Sequence, residues 1–180
     1  MLFLRVLFGG SFDPVHKAHV EMVRYVSSLC EEVLVVPSFI SPFKSSSGAV
    51  ASHRLKMCEV AFGSIPSVSV LDIEVLKGEI NYTIDTLKAM KQCYGGEFAL
   101  LIGSDCLPDF DKWRGFLDII SLAEIWIIER KGYSLDTEVL ERHGALFKIL
   151  PFSPAGVSST DIRENLCDLN EPVLQYIKAH

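Results

Sequence analysis

Two histidines, His16 and His19, stand three residues apart, directly behind the turn-forming string Gly9-Gly10-Ser11-Phe12-Asp13-Pro14. At that spacing on a helix, two imidazoles share one face. Imidazole nitrogens can donate hydrogen bonds to phosphate oxygens, charge-assisted when the ring is protonated. Paired glycines let the backbone turn tightly and approach a ligand with no Cβ in the way. A helix beginning near His16 would add unpaired N–H groups and the positive end of its dipole, both of which favour an anion. The chemistry expected is phosphate binding and charge stabilisation. Taken alone, such histidines could equally cap a helix or face solvent.

A second string, Val157-Ser158-Ser159-Thr160-Asp161-Ile162-Arg163, offers hydroxyls, a helix start and a guanidinium to an anion. Alone it also reads as a serine cap with a surface arginine. Between the two lie Pro42-Phe43-Lys44, Tyr82-Thr83 and Gly103-Ser104-Asp105, with Trp113 ten residues past that glycine. Each has a plain reading: Lys44 as a solvated charge, Thr83 and Asp105 as caps, and Trp113 as a packing residue.

Positioning these groups requires a scaffold, and the hydrophobic pattern describes one. Leu2 to Phe8 is a short apolar run suited to a buried strand ending at Gly9. Val20, Val23, Val26 and Leu29 then recur at helical spacing, predicting a helix from about His16 to Cys30. Further strands are expected at Val33–Val36, Val68–Ile73, Phe98–Ile102, Ile125–Ile128 and Phe147–Leu150. Helical patterns fall at 53–62, after a Thr83 N-cap, at 117–122, at 135–142 and at 159–166. The serine-rich stretch from Ser38 to Ser52 is a loop by composition. This alternation calls for an α/β fold: a Rossmann-like, doubly wound, mainly parallel sheet in a single domain. Such sheets bind ligands beyond the carboxyl ends of their strands, and the polar strings all follow predicted strands.

Composition sets outer bounds. With 180 residues, of which 49% are hydrophobic, the chain suits one well-packed domain over 1–180. A net charge of −6 argues against a broad nucleic-acid surface. Five dispersed cysteines, Cys30, Cys58, Cys93, Cys106 and Cys167, lack metal-ligand or dithiol spacing and suggest reduced thiols. No stretch approaches the ~20 apolar residues of a membrane span, and the apolar start is too short for a signal segment. A cytoplasmic protein is expected, with no dedicated metal site and an open oligomeric state.

The string Gly-Gly-Ser-Phe-Asp-Pro-x-His-x-x-His resembles the signature of the HIGH-type nucleotidyltransferases, with Ala18 where that pattern has glycine. The Ser158–Arg163 string is similar to the carboxyl-terminal phosphate motif of one branch, the nicotinate-mononucleotide adenylyltransferases. Tyr82-Thr83-Ile84-Asp85-Thr86-Leu87 and Gly103-x-Asp105 with Trp113 resemble that branch too. Pro37 with Pro42-Phe43-Lys44 matches its acceptor loop loosely, with Phe43 in place of a histidine and Ser41 in place of a proline.

The resemblance implies adenylyl transfer from ATP to nicotinate mononucleotide, releasing pyrophosphate. It assigns catalysis to His16, His19 and Arg163, and ATP binding to Gly9, Gly10, Ser11, Phe12, Gly103, Asp105, Ser158 and Ser159. Lys44, Thr83 and Trp113 would bind the mononucleotide, and Mg2+ would ride on the ATP phosphates. A sister enzyme with another phosphate acceptor, such as phosphopantetheine, and a nucleotide-sensing homologue without turnover are the alternative readings.

Overall fold

The computed structural model describes residues 4–40, 49–152 and 169–180. Lys44, Cys167, Ser158, Ser159 and Arg163 lie outside the described residues, as does the helix expected at 159–166.

Six strands form one parallel sheet: β1 (Leu4–Gly10), β2 (Glu32–Pro37), β3 (Val68–Val70), β4 (Glu97–Gly103), β5 (Glu124–Ile128) and β6 (Phe147–Leu150). Their order is β3-β2-β1-β4-β5-β6, and every pairing is parallel. The central strands are nearly continuous apolar runs because helices cover both faces. Alternation along them divides the interior in two. Val6, Phe8, Val33, Val35, Ala99 and Leu101 pack on one face with α1 (Lys17–Ser27) and α2 (Ala51–Phe62). Leu7, Leu34, Leu100, Ile102, Ile125 and Ile127 pack on the other. There they meet α4 (Thr83–Tyr94), α5 (Phe116–Leu122) and α6 (Glu138–Arg142). α3 is the short helix Ile73–Lys77, and α7 (Glu171–Ala179) docks Val173 into the α1–α2 side.

The sequence order 3-2-1 reverses to 4-5-6 between β1 and β4, so the loops after these neighbouring strands part to opposite faces and open a crevice. Gly9 and Gly10 finish β1 opposite Val36 and Pro37 of β2, while Gly103 finishes β4 opposite Ile128 of β5. The glycine string, the segment after Pro37 and the Gly103-Ser104-Asp105 string therefore share one edge of the sheet.

Several boundaries differ from the sequence reading. The strand expected over Val68–Ile73 stops at Val70, and Ile73 opens α3 instead. The chain makes a last ladder bond from Leu71 N–H to Val35 C=O and turns at Asp72 (φ −92°, ψ 5°). Thr83 is not an N-cap: Tyr82 is the extended half-in residue, and Thr83 is the first residue of α4. α2 starts at Ala51, inside the stretch expected to be loop to Ser52.

Candidate active site

The first strand delivers its glycines to the switch point, and the turn beyond is held by an aromatic wedge. Phe12 adopts the left-handed backbone region (φ 48°) and is 3% exposed. Its ring meets Phe8 edge-on at 5.2 Å, His19 at 5.2 Å and Phe62 of α2 at 6.0 Å. Non-glycine residues take this backbone region at a cost of about 1–3 kcal/mol, persisting where surrounding packing dictates it. A Cβ on Gly10 would approach the Phe12 ring at 3.2 Å, so glycine and wedge belong together. Phe12 itself has its ring turned into the core, leaving its backbone as the part available to a ligand.

Directly beyond the wedge, His16 is the N-cap of α1 and His19 lies in its first turn. Both are buried, and their rings stack with centroids 3.7 Å apart and planes 27° apart. The backbone N–H of His16 donates to His19 Nδ1 at 3.3 Å. An accepting Nδ1 assigns the proton of the neutral ring to Nε2, so that His19 presents a donor on its far side. The first turn of α1 carries no acidic residue of its own, so the positive end of its dipole is not offset from within the turn. Ala18, where the resembled pattern has glycine, is buried within this turn.

Across the switch point, Gly103 leads into a 3-10 helix over Ser104–Lys112. A Cβ on Gly103 would overlap Asp105 Oδ1 and come within 3.0 Å of Arg130 Cδ. Only the bare backbone lets the carboxylate fold against it. Asp105 Oδ2 accepts from Arg130 Nη1 at 3.1 Å, and Ser104 Oγ accepts from the Arg130 N–H at 2.9 Å. Arg130 thereby joins the loop after β5 to the end of β4. Burial, with the Asp105 carboxylate second, pushes the neighbouring Cys106 thiol up to about 12, so it is neutral and no nucleophile near pH 7.

Trp113 closes the 3-10 helix, with its ring edge-on to Phe110 at 5.0 Å. With Gly115, Phe116 and His143 it borders an open cavity of about 520 Å³. The next residue, Arg114, places its guanidinium 4.6 Å over the ring of Tyr82, the N-cap of α4. This contact links the Trp113 segment to the one opening with Thr83, two strings separated by thirty residues of sequence.

The sequence reading missed three arginines. Arg130 carried no motif of its own, and Arg114 was passed over beside the tryptophan. Arg54 is 6% exposed on α2. It donates from Nε to Ala49 C=O (3.0 Å), from Nη1 to Ser11 C=O (2.7 Å) and Ser38 C=O (2.6 Å), and from Nη2 to Phe39 C=O (2.6 Å). Burial lowers its guanidinium below the ordinary value, and the Asp13 carboxylate opposes that shift. Arg54 stands four residues before Cys58 and eight before Phe62, on the apolar stripe of its helix, and that spacing was the available signal.

A family model described as cytidylyltransferase-like matches residues 7–165. A relative from Aquifex aeolicus (strain VF5), named "Probable nicotinate-nucleotide adenylyltransferase", is 41% identical over 135 residues, spanning 72% of this chain and 79% of that protein. One of the same name from Bordetella pertussis is 33% identical over 188 residues, spanning 97% of this chain and 94% of its own. Among solved structures, the Plasmodium falciparum nicotinic acid mononucleotide adenylyltransferase complexed with NaAD is similar with a TM-score of 0.81. That likeness covers 98% of this chain and 95% of the other at 23% identity, and it shows a shared fold. With a parallel sheet reversed between β1 and β4, a stacked histidine pair beyond its glycine turn, and relatives of this kind along nearly its whole length, the chain belongs to the cytidylyltransferase-like family, in the branch of the nicotinate-nucleotide adenylyltransferases.

Proposed function

We propose that this chain transfers the adenylyl group of ATP to nicotinate mononucleotide, giving nicotinate adenine dinucleotide and pyrophosphate for NAD biosynthesis. The observation that carries the reading is the stacked His16–His19 pair at the start of α1, beyond the glycine turn of the switch point. An oxygen of the mononucleotide phosphate attacks the α-phosphorus of ATP in line. The bond from that phosphorus to the bridging oxygen breaks, and pyrophosphate departs with its electron pair. The attacking phosphate is already ionised near neutral pH, so no general base is required. The protein's task is to orient two substrates and stabilise charge on the α-phosphate.

His16 and His19 take the α-phosphate charge, with Gly9, Gly10, Ser11 and the Phe12 backbone around the triphosphate. Asp105, fixed by Gly103 and Arg130, takes a ribose hydroxyl of ATP. Ser158, Ser159 and Arg163 take the β- and γ-phosphates by their resemblance to the family motif. Thr83 and Trp113 hold the nicotinate, and Lys44 reaches its phosphate.

Among the described residues, no group of three or more His, Cys, Asp or Glu stands ready to hold a metal ion. Imidazoles, hydroxyls and backbone N–H groups suit the oxygens of a metal-bound triphosphate rather than a protein cage. Magnesium carried by ATP would supply further neutralisation of the phosphate charge. Free thiols at Cys30, Cys58, Cys93 and Cys106 fit a reducing, cytoplasmic setting.

Incubating the protein with ATP, magnesium and, separately, nicotinate mononucleotide, nicotinamide mononucleotide, phosphopantetheine and a cytidylyl donor system tests this directly. Nicotinate adenine dinucleotide with stoichiometric pyrophosphate is the expected product. Turnover only with a different acceptor would reject the assignment. A second check concerns Asp105. Gly103→Ala should lower kcat/KM for ATP by about ten- to a hundredfold, because its methyl displaces the carboxylate. Gly103 has an ordinary φ of −84°, so the folded backbone tolerates alanine and thermal unfolding should shift little. Unchanged ATP kinetics would remove Asp105 from the ATP site.

A further inference from the structure

Arg54 is a charged side chain only 6% exposed, with its guanidinium set among loop carbonyls at the start of α2. Burying a guanidinium is unfavourable unless its donors are satisfied, and replacing buried charges with well-packed apolar residues is often neutral or stabilising. That trade does not hold where the side chain is the donor to several loop carbonyls, so what needs explaining is why one residue serves them all. Its fork geometry offers an account. The donors of a planar guanidinium lie at fixed directions, and here they reach carbonyls from separate segments: Ser11 after β1, Ser38 and Phe39 after β2, and Ala49 before α2. Two further bonds run between the same segments. Ser38 N–H donates to Gly10 C=O at 2.9 Å, and Ala49 N–H donates to Asp13 Oδ1 at 3.2 Å.

We propose that Arg54 is a positioning residue that fixes the phosphate-binding turn after β1 at a set distance from the acceptor-side segment after β2. The inference rests on the adenylyl-transfer reading for its kinetic consequence. The peptide unit supplies the mechanism. In a trans peptide the C=O and the following N–H point in opposite directions. Holding the Ser11 carbonyl on the guanidinium thus fixes the direction of the Phe12 N–H within the glycine turn. Holding the Phe39 carbonyl does the same for the Ile40 N–H on the acceptor side. Lysine, with one ammonium in place of a planar fork, cannot reach all four carbonyls with the same geometry. In-line transfer between two bound substrates is sensitive to misplacement of about 1 Å, which can cost roughly a hundredfold in rate.

The test compares the full-length parent with Arg54→Lys and Arg54→Met. It combines steady-state kinetics in both substrates with hydrogen exchange at single amides. Exchange at Ser38, Ala49 and His16 should accelerate at least about tenfold in both variants, while amides of β4 and β5 keep their protection. Per folded molecule, kcat should fall about a hundredfold in Arg54→Met and less in Arg54→Lys, and KM for both substrates should rise. In an Arg54→Ala background, guanidinium ion at sub-denaturing concentration should restore part of the rate, and urea should not.

Exchange at Ser38, Ala49 and His16 that matches the parent would overturn the proposal. So would protection lost equally across every strand, or kcat within about twofold of the parent in the folded Lys and Met variants. If the parent forms no nicotinate adenine dinucleotide at all, the functional reading fails, and the exchange data alone then decide whether Arg54 holds the two segments.

Discussion

Replacing His16 or His19 with alanine lowers the turnover of nicotinate adenine dinucleotide synthesis at least about a hundredfold, the usual loss when one positioned donor to a transition-state oxyanion is removed. The stacking of the rings at 3.7 Å makes the two effects interdependent. His19 also receives the His16 backbone N–H on Nδ1, a bond that survives His16→Ala, so the interdependence rests on the stacked rings. The double variant should therefore lose far less than the product of the single losses. Both side chains are buried, and the His19 ring contacts Phe12, so alanine also leaves a cavity costing about 2–4 kcal/mol. Rates must accordingly be expressed per folded molecule, with the folded fraction taken from thermal unfolding. His19→Leu provides an apolar side chain of closer volume that lacks a donor, and so separates packing from chemistry. Near-normal kcat in both alanine variants would remove the histidines from the reaction.

The second large effect is discrimination between acceptors: the specificity constant for nicotinate mononucleotide should exceed that for nicotinamide mononucleotide by about a hundredfold or more. Thr83 is the first residue of α4, where backbone N–H groups lack helical partners and the dipole favours negative charge. Asp85 in the first turn offsets part of that dipole, and the Arg114 guanidinium over the Tyr82 ring adds a positive group to the same helix start. A carboxylate accepts from such donors, whereas the amide turns its own N–H hydrogens toward them. Donors facing donors in a desolvated pocket are costly. Thr83→Ala should mainly erode the preference, and Trp113→Ala should weaken both nucleotides through lost stacking. Competition between the two mononucleotides measures this. Equal specificity constants in the parent protein would defeat the nicotinate assignment even with adenylyl transfer intact.

Most of the sheet was legible because its central strands are apolar runs that end in a local signal, Gly9-Gly10 for β1, Pro37 for β2 and Gly103 for β4, whereas the short β3 has none and was read three residues too long. The ends of β5 and β6 agree with their apolar runs to within a residue. Elements without such a pattern were not visible. The 3-10 helix over Ser104–Lys112 holds Pro108 and three aspartates, Asp105, Asp109 and Asp111, which read as loop, and its buried residues Ser104, Leu107 and Phe110 recur every third position. α7 left a trace that went unused: Asn170 accepts from Val173 N–H at 3.2 Å, with Pro172 in the first turn. At the site, the glycine string and histidine pair could be read because their spacing along one turn is itself the geometry. The partners of Arg54, Arg114 and Arg130 could not, because each joins segments distant in sequence that only the sheet brings together.

The wedge at Phe12 has a consequence for motion. Its ring touches Phe8 on the sheet, His19 on α1 and Phe62 on α2, so the turn that carries the glycines shares atoms with the interior on that face. Surface loops usually open many times for each global unfolding event. This turn cannot swing outward without drawing a buried aromatic ring into water and breaking contacts with three elements at once. Its opening rate is thus tied to loosening of α1 against α2, and a substitution as remote as one at Phe62 would raise the frequency with which the histidines lose their alignment while the strands remain paired.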